Sequence, residues 1–330
     1  MKTWRASSFT RRDFLLRAAK AGASVTGAGL LGLVLYDGKG PQSVPEKNGG
    51  VTLPDFSVAG TGHIMAIVTG ENRPLTLRQA LKLLGGVERF VRPGDRVLLK
   101  VNAAFATPPI LSATTHPDVV AEMARLCFQA GASSVIVTDN PINDPASCFA
   151  LTGIAKAARS TGARVVLPDK QHFEPTTLRG GALINHWPVL YGPFQGVDKL
   201  IGMAPVKDHH RSGASMAMKN WYGLLGGRRN LFHQDIHNII KELAMLARPT
   251  LVVLDGTTTM MTNGPTGGSL QDLKQTNTMI VSTDQVVADA FGATLLGMTT
   301  AGLPFIGKAE EEGVGKADLK AIRPIRDRVG

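Results

Sequence analysis

Residues 96–140, RVLLKVNAAFATPPILSATTHPDVVAEMARLCFQAGASSVIVTDN, switch twice between two hydrophobic periods. RVLLKVNA is a short apolar run that ends in polar residues, which predicts a strand. HPDVVAEMARLCFQAGA has helical spacing, with Pro117 in the first turn and Gly131 just past the end. SVIVTDN predicts a second strand. A strand, a helix and a strand in this order form a right-handed crossover between parallel neighbours.

The rhythm extends in both directions. Upstream, IMAIVTG predicts a strand and LTLRQALKLLGG a helix stopped by glycine. Downstream, CFALTGIAKAARSTGA predicts a helix and RVVLPD a strand. Residues 170–198, which include GGALINHWPVLYGPF, break the pattern as a hairpin or an insertion. DKLIGMAPVK then predicts a strand, GASMAMKNWYGLL and QDIHNIIKELAMLAR helices, TLVVLDG and TMIVSTD strands, and QVVADAFGATLLG a helix. KAEEEGVGKADLKAI reads as a short helix followed by a segment of no clear type. The expected fold class is α/β: a mostly parallel sheet with helices on both faces, in Rossmann-like layers.

The chain has 330 residues with 43% hydrophobic and 19% charged content, which predicts a packed core. Residues 61–330 suffice for one large α/β domain or two lobes. The formal net charge is +10. Half of it sits in residues 1–40, with seven Lys/Arg against two Asp/Glu; the remainder carries 29 basic and 24 acidic groups. That balance is ordinary, and aromatics make up only 5%, so no nucleic-acid partner is expected. Cys127 and Cys148 are too few for a four-thiolate cluster and read as buried free thiols.

Residues 1–36 read as a twin-arginine export signal or a retained anchor. Arg11-Arg12 precede Asp13-Phe14-Leu15, and an uncharged, Gly/Ala-diluted run follows from Ala21 to Tyr36. That run is shorter than the roughly 20 residues that span a bilayer squarely. The expected partner is the twin-arginine translocase. The expected location is the periplasm, free or anchored to the inner membrane. Gly27, Gly29 and Gly32 match a dinucleotide fingerprint, but no strand precedes them, so they read as leader composition. Residues 37–60 read as a linker.

The chemistry-bearing residues follow predicted strands, where open α/β sheets place their ligand crevice. Lys100 ends an apolar strand, facing an anion or snorkelling from a strand end. Asn102 shares its face. Thr114-Thr115-His116-Pro117 reads as a helix cap or, alternatively, as an anion site at that helix N-terminus. Lys207 precedes His209-His210, and alternation in an extended chain lets at most one of those histidines face a pocket. Lys219-Asn220 follow a small-residue segment. His233 and His237 are four apart, a spacing that can hold zinc with a third ligand from His209 or Asp208. However, Gln234 breaks the H-E-x-x-H motif, and no metal site is assigned. Asp255 ends a predicted strand before the Gly/Thr-rich loop TTTMMTNGPTGGS, which contains Gly264 and lacks a phosphate-loop lysine. Asp284 is a helix cap. Asp289 sits inside an apolar helix and requires a partner.

With these residues in view, the sequence resembles the bacterial and archaeal family called domain of unknown function 362. The resemblance runs from about Arg96 to Leu319 on LLKVNA, ATTHPDVVAEMARL, APVKDHH, MAMKNWYGLL, His233, VVLDGTTTMMTNGP and VSTDQVVADAFGATLLG. It implies an α/β fold and supplies no established reaction. It also implies a pocket of Lys100, Asn102, Lys207, His209, Lys219, Asn220, His233, Asp255 and Asp289. Some relatives carry ferredoxin-like cysteine clusters, which this chain lacks, and no cofactor is assigned.

The expectation is an exported enzyme for a small anionic substrate. Lys100, Lys207 and Lys219 hold the anion, with Asn102, Asn220 and Gly264 beside them. His209 or His233 acts as general acid or base, and Asp255 or Asp289 orients a histidine or lysine. The alternative is a non-catalytic periplasmic binding protein or an accessory to a redox partner.

Overall fold

Among the described residues, eleven strands carry the body of the chain. They are β1 (Met65–Thr69), β2 (Arg96–Lys100), β3 (Ser134–Thr138), β4 (Arg164–Val166), β5 (Phe173–Thr176), β6 (Trp187–Leu190), β7 (Lys199–His209), β8 (Gly213–Ser215), β9 (Leu251–Met260), β10 (Leu273–Ser282) and β11 (Ile325–Arg328). The computed structural model describes residues 10–35 and 51–330. Nine strands form one sheet in the order β11-β1-β10-β9-β7-β2-β3-β4, with β8 folded back on β7. β2, β3, β4, β7 and β9 pair in parallel. β10 is antiparallel to both β9 and β1, so along the main path it alone runs against the rest. The fold is α/β with a mostly parallel sheet.

Strand parity sends side chains to two cores. Leu98, Leu200 and Leu254 join one, under the helices Ile236–Leu246, Gln285–Leu295 and Pro304–Glu311. Val97, Leu99, Ile201 and Val253 join the other, under Arg73–Leu83, Pro117–Gln129 and Ile154–Ser160. Buried strands with helices on both faces explain the near-continuous apolar runs.

β2 leads through its crossover to β3 and β4 on one side, whereas β7 leads to β9 on the other. The two strands are adjacent, so their carboxyl ends open a crevice at the point where the strand order reverses.

Local departures have local causes. The helix expected over 148–163 is two helices, Pro145–Leu151 and Ile154–Ser160, broken at Gly153 with φ +74°. The irregular stretch 170–198 contains the antiparallel hairpin β5–β6, a separate small sheet. β9 does not end at Asp255: Thr258–Met260 pair with Leu273–Gln275 of β10, so the polar loop begins at Met261. GASMAMKNWYGLL, expected as one helix, is β8, a single turn of helix Ala217–Asn220 and a 3-10 turn Trp221–Leu224. Trp221 is fully buried, and its indole N–H donates to Gln285 Oε1 at 2.6 Å.

Arg11–Leu35 is a helix of 25 residues with Phe14, Leu15, Leu30 and Leu31 exposed. No helix among the described residues is long and apolar enough to cross a membrane. Of the expected signal, residues 1–9 and 36 lie outside the described residues, as do residues 37–50 of the expected linker. Residues 51–60 lie against the body, where the Phe56 N–H donates to Arg248 O at 3.0 Å.

Candidate functional site

The crevice holds a cavity of about 290 Å³. β2 and its continuation bring Lys100 and Asn102, β7 brings Lys207 and His209, and the segment after β8 brings Lys219, Asn220, Tyr222, Arg229 and His233. Lys100, Asn102, Lys207, His209, Lys219, Asn220 and His233 thus meet at one site.

The three lysines are not equivalent. Lys100 Nζ forms a contact ion pair with Asp139 Oδ1 at 2.6 Å. It also donates to Val101 O at 2.9 Å, Asn220 O at 2.6 Å and Asn220 Oδ1 at 3.0 Å. An ammonium has three protons, and all are engaged by the protein. Burial lowers its pKa and Asp139 counters that. A Cβ at Gly223 would lie 2.0 Å from Asp139 Oδ1, so glycine is needed there for this pair to form. Lys100 therefore braces the site, holding Asn220 against β2.

Lys207 donates to Ala113 O and lies over the Phe105 ring, 5.2 Å from its centroid. Lys219 is 8% exposed, and its Nζ makes no hydrogen bond or ion pair among the described residues; it sits 4.9 Å above the Tyr222 ring. Burial pushes both lysines down to about 7. Lys219 adds to the effect on Lys207, and Arg229 and Lys100 add to it on Lys219. Of the cations in the crevice, Lys219 has the most unused donors.

The histidines are set in opposite tautomers, as assigned from their partners. His209 Nδ1 accepts the backbone N–H groups of Arg211 at 3.2 Å and Ser212 at 3.3 Å, which leaves the proton on Nε2. Burial and the charge of Lys219 push its pKa down to about 2, so this ring is a neutral N–H donor. His233 Nδ1 lies 3.2 Å from Asn230 O, a pure acceptor, and 3.0 Å from Tyr222 Oη, whose hydroxyl donates to Arg229 O at 2.6 Å. Nδ1 is therefore the donor, and Nε2 keeps its lone pair. Burial and Lys219 lower the pKa of His233, so the ring is neutral and able to accept a proton at pH 7.

Several expectations require correction. His209 and His210 both line the cavity, with ring planes 8° apart and centroids 5.0 Å apart; β7 ends at His209, so strand alternation does not reach His210. Asp255 does not reach the cavity: it lies within β9, and its Oδ2 pairs with Arg73 Nε at 2.7 Å. Gly264 bonds the end of β7 and the turn after it, donating to Asp208 Oδ2 at 2.9 Å and accepting from the His210 N–H at 3.3 Å; its neighbours Pro265 and Thr266 line the cavity instead. His237 lies against Phe305 and does not converge with His233. His116 caps its helix through the Asp118 N–H, and Thr115 Oγ1 donates to Met203 O.

Asp289 lies beneath the site and has the partner it requires. Its oxygens accept the N–H groups of Ala217 at 2.7 Å and Met218 at 3.1 Å, in the turn that presents Lys219. Burial raises its pKa to about 7. It is a positioning residue. Asp289→Ala strands two buried N–H groups and is expected to cost about 3 kcal/mol in urea unfolding. An unchanged midpoint would show that the turn holds without it.

Asp139, Tyr222 and Arg229 were not singled out from the sequence. Asp139 follows the end of a buried strand in VTDN, the same signal that marked Lys100. Arg229 carries no such signal. Its guanidinium donates to Asn140 O at 2.9 Å, Pro141 O at 2.8 Å, and Tyr222 O and Leu225 O at 3.3 Å.

A family model described as Domain of unknown function (DUF362) matches residues 97–294, which include every cavity residue named above. A thylakoid-associated protein of Synechocystis sp. is 26% identical over 264 residues, covering 76% of this chain and 78% of its own length. Among solved structures, the lactate racemase apoprotein of Thermoanaerobacterium thermosaccharolyticum matches with a TM-score of 0.40 and 14% identity. That match covers 71% of this chain and 57% of the racemase chain.

Proposed function

The chain belongs to the Domain of unknown function (DUF362) family, and from that premise we propose an exported enzyme that transfers a proton to or from a small anionic substrate. The observation that carries the reading is the Lys219 ammonium, buried in the crevice without a hydrogen-bond acceptor among the described residues. An anion supplies that acceptor. Lys207 and Lys219 hold its charge, the His209 Nε2–H donates to it, and the His233 Nε2 lone pair takes the proton. Asn102 and Asn220 flank the anion, and Asp289 fixes the turn that carries Lys219. Arg11-Arg12, at the head of a helix with exposed apolar side chains, support delivery by the twin-arginine translocase to the periplasm.

Binding of sulfate, a dianion throughout the pH range used, to the full chain tests the anion site. A lysine at about 7 must be charged to bind, so affinity tracks its protonated fraction. Calorimetry is expected to show affinity falling about 100-fold from pH 6 to pH 9, with proton uptake on binding at neutral pH. Equal affinity at both values would remove the lysines from the site. Native mass spectrometry of protein from an exporting host then identifies any retained ligand. Conversion of that ligand, lost in His233→Gln, marks an enzyme. Recovery of the ligand unchanged marks a binding protein.

A further inference from the structure

The crevice continues past His233 into a groove of about 670 Å³. Asn140, Ile142, Tyr222, Arg229 and His233 line both compartments, so the two form one cleft. Their chemistry differs. The inner compartment is set with lysines, and the groove is walled by Pro145, Pro168, Phe173 and Pro188 over the backbone of Gly226 and Gly227. Proline carries no N–H, so these walls offer few hydrogen-bond donors. The two charged residues of the groove outside the shared set, Asp169 and Lys170, are both exposed and opposite in sign.

Phe173 and Pro188 belong to β5 and β6, the hairpin that interrupts the strand–helix alternation. The hairpin is pinned to the glycine floor: the Gly226 N–H donates to Pro188 O at 2.8 Å, and Trp187 Nε1 donates to Gly226 O at 3.1 Å. The interruption in the fold thus builds the second compartment.

We propose that the substrate of this site is a carboxylate or phosphate joined to a bulky apolar group. The anionic end sits at Lys219 and the apolar part lies in the proline-walled groove. This rests on the anion-site reading above and adds the class of molecule. Pockets of this kind bury apolar bodies and orient them by a few polar groups.

Calorimetry on the full-length protein with acetate and with biphenyl-4-carboxylate tests it. The biphenyl acid is expected to bind at least tenfold more tightly than acetate. Phe173→Ala and Pro168→Gln, each on its own, are expected to remove most of that gain and leave acetate affinity unchanged. Two variants from different segments keep the test sound if one fails to fold. Lys219→Met is expected to weaken both acids. Equal affinity for the two acids, both still dependent on Lys219, would overturn the groove and leave the anion site standing. Binding of neither acid would overturn both.

Discussion

Lys219→Met is expected to stabilise the protein in the absence of anion by about 5 kcal/mol at pH 6 while abolishing phosphate binding. The gain follows from holding an ammonium at about 7 when its ordinary value is 10.5. Below pH 7 the lysine is charged both folded and unfolded, and the full cost of burying it is present. Between pH 7 and 10.5 the folded lysine has lost its proton and the unfolded one has not. The native protein therefore gains stability with rising pH across that window, and its deficit against the variant closes. Urea unfolding at pH 6, 8 and 10 reads this directly. A variant less stable than the native chain at pH 6 would mean that the ammonium is well solvated or paired. Stability and binding pull in opposite directions at this position, as they do where a site is kept strained for a ligand.

Asp139→Asn is expected to act in the other direction, costing about 3 kcal/mol at neutral pH. Asp139 is 2% exposed and is the counter-charge to Lys100, itself 1% exposed. The amide keeps the shape and can still accept the Ala103 N–H, which now donates to Asp139 Oδ2 at 2.7 Å. It removes the charge that balances a buried ammonium. The double variant Lys100→Met/Asp139→Leu, which removes both charges, is expected to recover most of the loss. A double variant as unstable as the single one would locate the cost in packing. Phosphate binding by folded Asp139→Asn is expected to tighten, since the variant lacks the carboxylate that faces this cluster of cations.

Much of this architecture was legible from periodicity. The strands around Leu98, Ile136, Ile201 and Val253 are buried on both faces, so their apolar runs are unmistakable. What periodicity missed depends on tertiary pairing. Gly256-Thr257-Thr258-Thr259 has turn composition, yet β10 recruits it into the ladder. Ile325–Arg328 is an exposed edge strand with no alternation, and only its pairing with β1 makes it a strand. The site follows the same division. Lys100, Lys207 and His209 lie at the carboxyl ends of strands and Lys219 follows one, so topology gathers them. Asp255 was misplaced because its strand was cut short. Asp289 was marked by the anomaly of a carboxylate in an apolar helix, but its role beneath Lys219 depends on a distant backbone turn. Arg229 comes from an irregular segment, where no period exists to read.

Arg229 carries a consequence for selectivity. Its guanidinium ties the loop after β3 to the segment around Tyr222 through four carbonyls, which engages both Nη1 protons and one Nη2 proton. It contributes field to the crevice, and its Nη1 edge is committed to the protein. In the proposed anion site the other charges are the ammonium groups of Lys207 and Lys219, which attract without imposing a plane or a bite angle. On that reading the site is expected to weigh charge and size more than whether the head is flat or tetrahedral. Discrimination among anions then passes to whatever is attached to the head, and to the walls that must accommodate it.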